Sequence, residues 1–353
     1  MKNDFKISSI LRSKFSKNNN VRIFNLITID KQVRWIIEKD PSTIYVLKEW
    51  RPYSCSRNFF WKLLIISKRL RIINLLPICK TKRLKISEVF LNLNKKLDCS
   101  KVSIVCFLGR ESHIKQKAII FLINKLKKQC TFVVKKGLSE RSWASLQHEY
   151  LVLKNLENDN NKYSPKVFNI DKANKIIFQE FIKGKPSSLN LNNDHYYFLA
   201  SLINKNKYIN FKKLKFLINY FFEKEIKFSI NKEFIQDFEN ALSLSIWGKK
   251  IKSVRVHGDF TPWNIKTELK TKNLKVFDWE DSIDSFLPFY DLLYYKVTVQ
   301  KFLKKRIKID IKKYLDALNL NGYKLREEYI EDLILISKLC IFIKSDRNFN
   351  FID

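Results

Sequence analysis

The sequence predicts an α+β protein of two lobes, a small one built on an antiparallel sheet and a larger one that is mostly helical, behind an extra N-terminal region. Three patterns carry this. Val102–Leu108, Ala118–Asn124 and Cys130–Lys136 are short runs rich in β-branched and aromatic residues with turn residues between them, which predicts a meander. Trp143, Leu146, Tyr150, Leu153 and Leu156 then recur at three- and four-residue steps behind Ser139, a residue able to cap a helix. After Gly184 and Pro186 the apolar spacing becomes helical over most of the remaining chain.

Taken in order, residues 1–95 form a first region with aromatic anchors at Trp35, Tyr45, Trp50, Tyr53, Phe59, Phe60 and Trp61. They carry no chemical motif, and packing onto the domain that follows is the favoured reading. Phe59–Ile78 is the most apolar stretch. Lys62, Lys68, Arg69 and Arg71 interrupt it without gathering on one helical face, so a buried helix pair is expected. Peripheral contact with a membrane surface is its secondary reading. Residues 96–183 form the sheet lobe: three strands, the Ser139-capped helix, and a hairpin of Lys166–Ile170 and Lys175–Phe181 turning near Asn174. In residues 184–353, helices are expected over Asp194–Ile203, Phe211–Phe228 and Lys232–Trp247. Strands follow at Ser253–Val256 and Leu274–Phe277. Pro288 starts a helix through Leu292, Tyr295 and Val299, and the rest is helical to about Ile343 with a break at Asn321-Gly322.

The composition narrows the function classes. The chain has 353 residues, and 45% hydrophobic content excludes a disordered chain. The net charge is +33, but the basic residues are 54 Lys against 14 Arg, spread over the chain. Compositional bias explains such scatter better than a nucleic-acid surface, which clusters Arg and Lys on one element. The six cysteines form no CxxC pair and the four histidines lie apart, which argues against a structural zinc site. Scattered thiols suit a reducing cytoplasm, and the first fifteen residues have no apolar core of a signal peptide.

The chemistry concentrates at His257-Gly258-Asp259-Phe260-Thr261-Pro262-Trp263-Asn264, a loop following a strand, and at Asp278, which ends the next strand. Two neighbouring strand ends can aim an amide oxygen and a carboxylate at one divalent cation. Asp259 is left to accept a proton from an attacking hydroxyl. Phosphoryl transfer needs those parts, because its catalysis is mostly positioning and charge neutralisation. The bland alternative is that Asp259 and Asn264 merely close a turn.

HGDFTPWN, VFDWED and PFYDLLYY together resemble the aminoglycoside phosphotransferase and choline kinase group, whose fold is protein-kinase-like. The resemblance covers about residues 100–300 and is sharper in the second lobe. It implies an ATP-dependent kinase of a small molecule or sugar-like acceptor, with ATP and Mg²⁺ bound. Residue by residue, it implies Asp259 as catalytic base and Asn264 and Asp278 as magnesium ligands. His257 would brace the loop, and Asp291 would be a structural acid. A kinase also needs a lysine near the α- and β-phosphates, held by a helix carboxylate. Lys135 and Lys136 are both candidates, and strand alternation puts one of them on the inner face. Lys135 with Glu149, fourteen residues on, fits the resemblance better. The glycine-rich loop departs from the kinase pattern: Gly109 and Ser112 are its only phosphate-cradling candidates, and an ordinary hairpin turn is as good a reading. Glu180 and Ile182 would lie on the linker whose backbone edge meets adenine. The resemblance implies a small-molecule hydroxyl as acceptor, with a glycan or an amino alcohol among the classes left open. The competing reading is an inactive kinase-like scaffold that uses its positive surface on a membrane or polyanion.

Overall fold

The computed structural model describes residues 11, 19–49, 52, 55–87, 101–110, 115–225 and 232–347. The chain forms two compact units, Met1–Lys185 and Pro186–Asp353, dividing inside a short strand at Gly184–Pro186.

The first unit is organised by one antiparallel sheet. Its strands in chain order are β1 (Asn19–Ile29), β2 (Gln32–Glu38), β3 (Cys79–Ser87), β4 (Val102–Leu108), β5 (Lys117–Asn124), β6 (Gln129–Gly137), β7 (Val167–Asp171) and β8 (Ile176–Glu180), and in space they run β3-β1-β2-β4-β5-β6-β8-β7. β4, β5 and β6 are the three β-branched runs, and β7–β8 is the expected hairpin. Alternation sorts their side chains onto two cores. Phe24, Leu26, Ile36, Ile104, Cys106, Ile120, Leu122, Val134 and Phe178 pack on one face. Ile27, Trp35, Ile37, Val105, Phe121 and Val133 pack on the other, beneath α1 (Ile44–Glu49) and α2 (Cys55–Arg69). Each such buried side chain contributes roughly 1.5–3 kcal/mol of transfer free energy, offset by chain entropy.

The region ahead of β4 belongs to the same sheet. β2 pairs with β4, with Trp35 opposite Phe107 and Ile37 opposite Val105. A polar staple reinforces the seam. Arg22 donates to both Glu38 carboxylate oxygens at 3.2 Å and to the Val102 carbonyl at 2.6 Å. Glu38 also accepts the Ile104 N–H at 2.8 Å, and Lys68 of α2 donates to the Glu38 carbonyl at 2.7 Å.

The expected helix pair over Phe59–Ile78 is corrected. Only α2 is a full helix. Arg71 takes the left-handed conformation (φ 62), and the Ile72 and Arg71 N–H groups return to the Ser67 and Lys68 carbonyls at 2.9 and 3.2 Å. This closure stops the helix although no glycine marks it. A single 3₁₀ turn, Ile73–Leu75, leads into β3.

α3 (Glu140–Asn158) starts at Ser139, whose hydroxyl accepts the Ser142 N–H at 3.1 Å while Ser142 Oγ accepts the Ser139 N–H at 2.8 Å. Gly137 lies so close that a Cβ there would sit 2.9 Å from the Trp143 nitrogen.

The second unit contains α4 (Asn193–Ser201), α5 (Phe211–Glu225), α6 (Lys232–Ser243), α7 (Tyr290–Leu303), α8 (Ile311–Leu320) and α9 (Ile330–Arg347). β11 (Lys252–Val256) lies between β10 (Ile203–Tyr208) and β14 (Ile283–Phe286), and β12 (Ile265–Glu268) pairs with β13 (Leu274–Val276). Numbered in chain order, the short strand at Gly184–Pro186 is β9. The helix expected over Asp194–Ile203 ends at Ser201, and Ile203 opens β10 instead. The helix expected over Lys232–Trp247 ends at Ser243, with Trp247 on a 3₁₀ turn. The end of the expected Phe211–Phe228 helix lies outside the described residues. β10, β12 and β14 are short or polar and present no pattern long enough to read.

Candidate functional site

The centre of the second unit is the loop between β11 and β12. Gly258 makes it possible. Its φ is +80, and a Cβ there would stand 2.0 Å from the Asp281 carbonyl oxygen, so neither conformation nor space admits another residue. Asp291, on the first turn of α7, accepts the backbone N–H groups of His257 and Gly258 at 2.6 and 3.0 Å. Burial pushes the Asp291 carboxyl up to about 6, and these two donors oppose that rise. The buried His257 ring is pushed down to about 4 by desolvation, so it is neutral at pH 7. Its Nδ1 accepts the Asp259 N–H at 3.2 Å, which leaves Nε2 to donate to the Phe277 carbonyl, also at 3.2 Å. His257 thus ties the loop to the end of β13.

Asn264, at the end of the 3₁₀ turn Pro262–Asn264, directs its amide nitrogen at Asp259, 3.0 Å from the carbonyl and 2.9 Å from Oδ2. The NH₂ group is thereby committed, and the amide oxygen faces away from those bonds as an acceptor. The Asn264 carbonyl accepts the Phe277 N–H at 3.0 Å, placing Asn264 beside the strand end that carries Asp278. Asp278 itself is left-handed (φ 75), a conformation tolerated by Asp.

Asp259 is half-buried. Desolvation raises its carboxyl to about 7. Asp281 and Asp278 add to the rise, while Lys344 and the Asn264 hydrogen bond oppose it. The Tyr294 hydroxyl also reaches the Asp259 carboxyl. Lys344 of α9 donates to the Gly258 carbonyl at 2.6 Å and approaches Asp281 Oδ2 at 3.3 Å, with its ammonium 5.2 Å from the Tyr294 ring centroid.

In the first unit, Lys135 of β6 meets Glu149 of α3, with Nζ 2.6 and 2.9 Å from the two carboxylate oxygens. Both side chains are buried. Lys135 stands opposite Ile177, which packs on Trp143 and Leu146 of α3. Lys136 faces the other way, toward Cys106, and burial pushes it down to about 8. Gly109 directly follows β4, with its N–H bonded to the Lys117 carbonyl at 3.0 Å and its carbonyl accepting Gln116 Nε2 at 3.1 Å. Those backbone groups serve the hairpin. A Cβ at Gly109 would meet only ordinary contacts, so the position does not require glycine. Ser112 lies outside the described residues. Glu180 ends β8, where its carboxylate accepts the Lys166 N–H at 3.1 Å, and Ile182 is buried just beyond.

Sequence reasoning missed Gly258, Asp281, Tyr294 and Lys344. Gly258 had a signal, a glycine directly before the key acid. Lys344 had none, being 86 residues from the carbonyl it holds.

Among the described residues no group of three or more His, Cys, Asp or Glu side chains is placed to hold a metal ion. The donor chemistry at Asn264 and Asp278 nonetheless fits magnesium: one amide oxygen with its nitrogen already committed, and one carboxylate, both hard ligands of the kind that leave room for water and phosphate oxygens.

No protein-family model and no curated protein matches the chain. Solved structures do. A macrolide 2'-phosphotransferase of Brachybacterium faecium, in apo form, is 13% identical over 74% of this chain and 93% of its own, with a TM-score of 0.52. An aminoglycoside 2'-phosphotransferase-IIIa, solved with GDP, is 14% identical over 74% of this chain and 92% of its own, with a TM-score of 0.50. A choline/ethanolamine kinase family protein of Mesorhizobium loti matches at 13% identity over 70% and 82%, with a TM-score of 0.44. The α+β, protein-kinase-like fold expected from the motifs is the fold observed.

Proposed function

We propose that the protein is an ATP-dependent phosphotransferase that moves the γ-phosphoryl group to a hydroxyl of a small molecule. The observation that carries this reading is the Asn264 amide held against the carboxyl of Asp259, a residue that stays half-buried in its loop. In this reading Asp259 accepts the proton of the acceptor hydroxyl, oriented by Asn264 and Tyr294. Asn264 and Asp278 would hold Mg²⁺, which when bound neutralises phosphate charge. Lys135, kept extended by Glu149, steadies the α- and β-phosphates. Asp291 and His257 fix the loop. The braces through Asp291 and His257 engage backbone N–H groups and do not use the Asp259 carboxyl.

The acceptor reading follows from charge. α5 exposes Lys212, Lys213 and Lys215, and no Asp or Glu lies in the sequence between Asp194 and Glu223. Such a surface favours a sugar-like or anionic alcohol over a polycation. The test is transfer of labelled γ-phosphate from ATP across sugars, amino alcohols, nucleosides and aminoglycosides. One acceptor class should be labelled by the parent protein and not by Asp259→Ala. Equal labelling by the two proteins overturns the mechanism. A thermal midpoint that ATP raises no further when Mg²⁺ is added overturns the metal assignment.

A further inference from the structure

Helix α2 has two apolar sides, and only one is used. Trp61 and Leu64 are buried against the sheet. Phe59, Leu63, Ile66 and Leu70, spaced i, i+4, i+7 and i+11, form a stripe along the opposite side, and they are 64, 45, 51 and 61% exposed. Ile72 and Leu75, just beyond the helix, are also exposed. Single exposed apolar residues are commonplace, but a continuous stripe marks a surface that something covers.

The surrounding charge indicates what. Lys62 and Arg69, seven residues apart and both exposed, line one flank of the stripe. The four charges of this stretch do not gather as a set: Lys68 is withdrawn into the interior on the Glu38 carbonyl and Arg71 lies past the helix end, while Lys62 and Arg69, which remain on the helix surface, share a side. From Trp50 to Ser87 the chain has ten Lys and Arg and no Asp or Glu, whereas 35 acidic residues are spread through the rest. The general excess of lysine does not account for that local absence of acids. No described helix is long and apolar enough to cross a membrane.

We propose that this face of α2 is an interfacial helix that seats Phe59, Leu63, Ile66 and Leu70 at the headgroup–acyl boundary of an anionic phospholipid bilayer, with Lys62, Arg69 and Arg71 on the lipid phosphates. Charge complementarity selects the bilayer. A second copy of the chain would set one positively flanked helix face against another. The proposal does not depend on the phosphotransferase reading.

The test is co-sedimentation of the full-length protein with vesicles of phosphatidylcholine alone and of phosphatidylcholine with phosphatidylglycerol in two-to-one ratio. Binding to the mixed vesicles only is expected. The triple variant Phe59→Ser, Ile66→Ser, Leu70→Ser should lose at least about tenfold in that binding while keeping the parent's thermal midpoint, since all three side chains are exposed. Lys62→Glu with Arg69→Glu should lose a comparable amount, and this pair decides the matter if the serine variant fails to fold. The proposal is overturned if the parent ignores the mixed vesicles, or if the folded variants bind like the parent. It is equally overturned if the parent is a dimer that the serine variant dissolves, because a second copy is then the occupant.

Discussion

Two buried acids, one in each unit, hold backbone N–H groups and serve opposite ends. Glu38 is consumed by its neighbours: Arg22 takes both carboxylate oxygens and the Ile104 N–H takes one again. Asp291 holds the His257 and Gly258 N–H groups, and its effect is felt one residue further on, where Asp259 keeps part of its surface open. The first acid joins strands; the second shapes a loop around another acid. Burial with full pairing is architecture, whereas burial that shapes a loop around a second, half-buried acid is a pattern that working sites share.

The sharpest way to break this contrast is Asp259→Asn. Phosphotransfer should fall by about 10³-fold, the scale of a lost general base. The thermal midpoint should hold or rise, because the substitution removes a charge penalised by burial and by Asp281 and Asp278. A large stability loss would make Asp259 another Glu38. Next comes Glu38→Ala, which strands the Arg22 charge and the Ile104 N–H. Denaturant unfolding should show a loss of about 3–5 kcal/mol, with the rate per folded molecule unchanged. Gly258→Ala should lower both properties. A side chain there meets the Asp281 carbonyl and a left-handed backbone, so about 2 kcal/mol of stability and most of the activity should go together.

The smallest effect is a pH difference at the staple. Burial lowers Lys68 to about 8 from 10.5, with Asp40 and Glu38 opposing the shift. A base with a depressed native pKa binds fewer protons folded than unfolded between those values, so its contribution to stability rises with pH across that window. Unfolding of the parent and of Lys68→Met, compared at pH 7 and near pH 10, should show the parent gaining on the variant as pH rises. A constant difference would mean that Lys68 stays charged in its buried position.

What the sequence made legible follows from distance along the chain. β4, β5, β6 and α3 were readable because β-branched runs and a Ser139 cap are local signals. Lys135 and Glu149 could be paired on paper because an adjacent strand and helix carry them. The polar residues of the loop stood out because Asp259, Asn264 and Asp278 are gathered within twenty residues. The staple was invisible: Arg22 and Glu38 lie 16 residues apart and Glu38 and Ile104 lie 66 apart, and no spacing rule links strands that meet through topology. Lys344 was hidden for the same reason. The helix over Phe59–Ile78 was misread because Arg71 occupies the stop position where glycine is the usual sign.

The continuity of the eight-stranded sheet bears on how the protein can be handled. A version begun at residue 101 would lose three strands at once and leave Val105, Cys106 and Phe107 as a bare border. The Ile104 N–H would lose Glu38, and the Val102 carbonyl would lose Arg22. An uncovered margin of this kind recruits strands from other molecules. Shortening the protein to its motif-bearing part would therefore give clumping before it gave an assay, and the leading residues should be kept whenever turnover is sought.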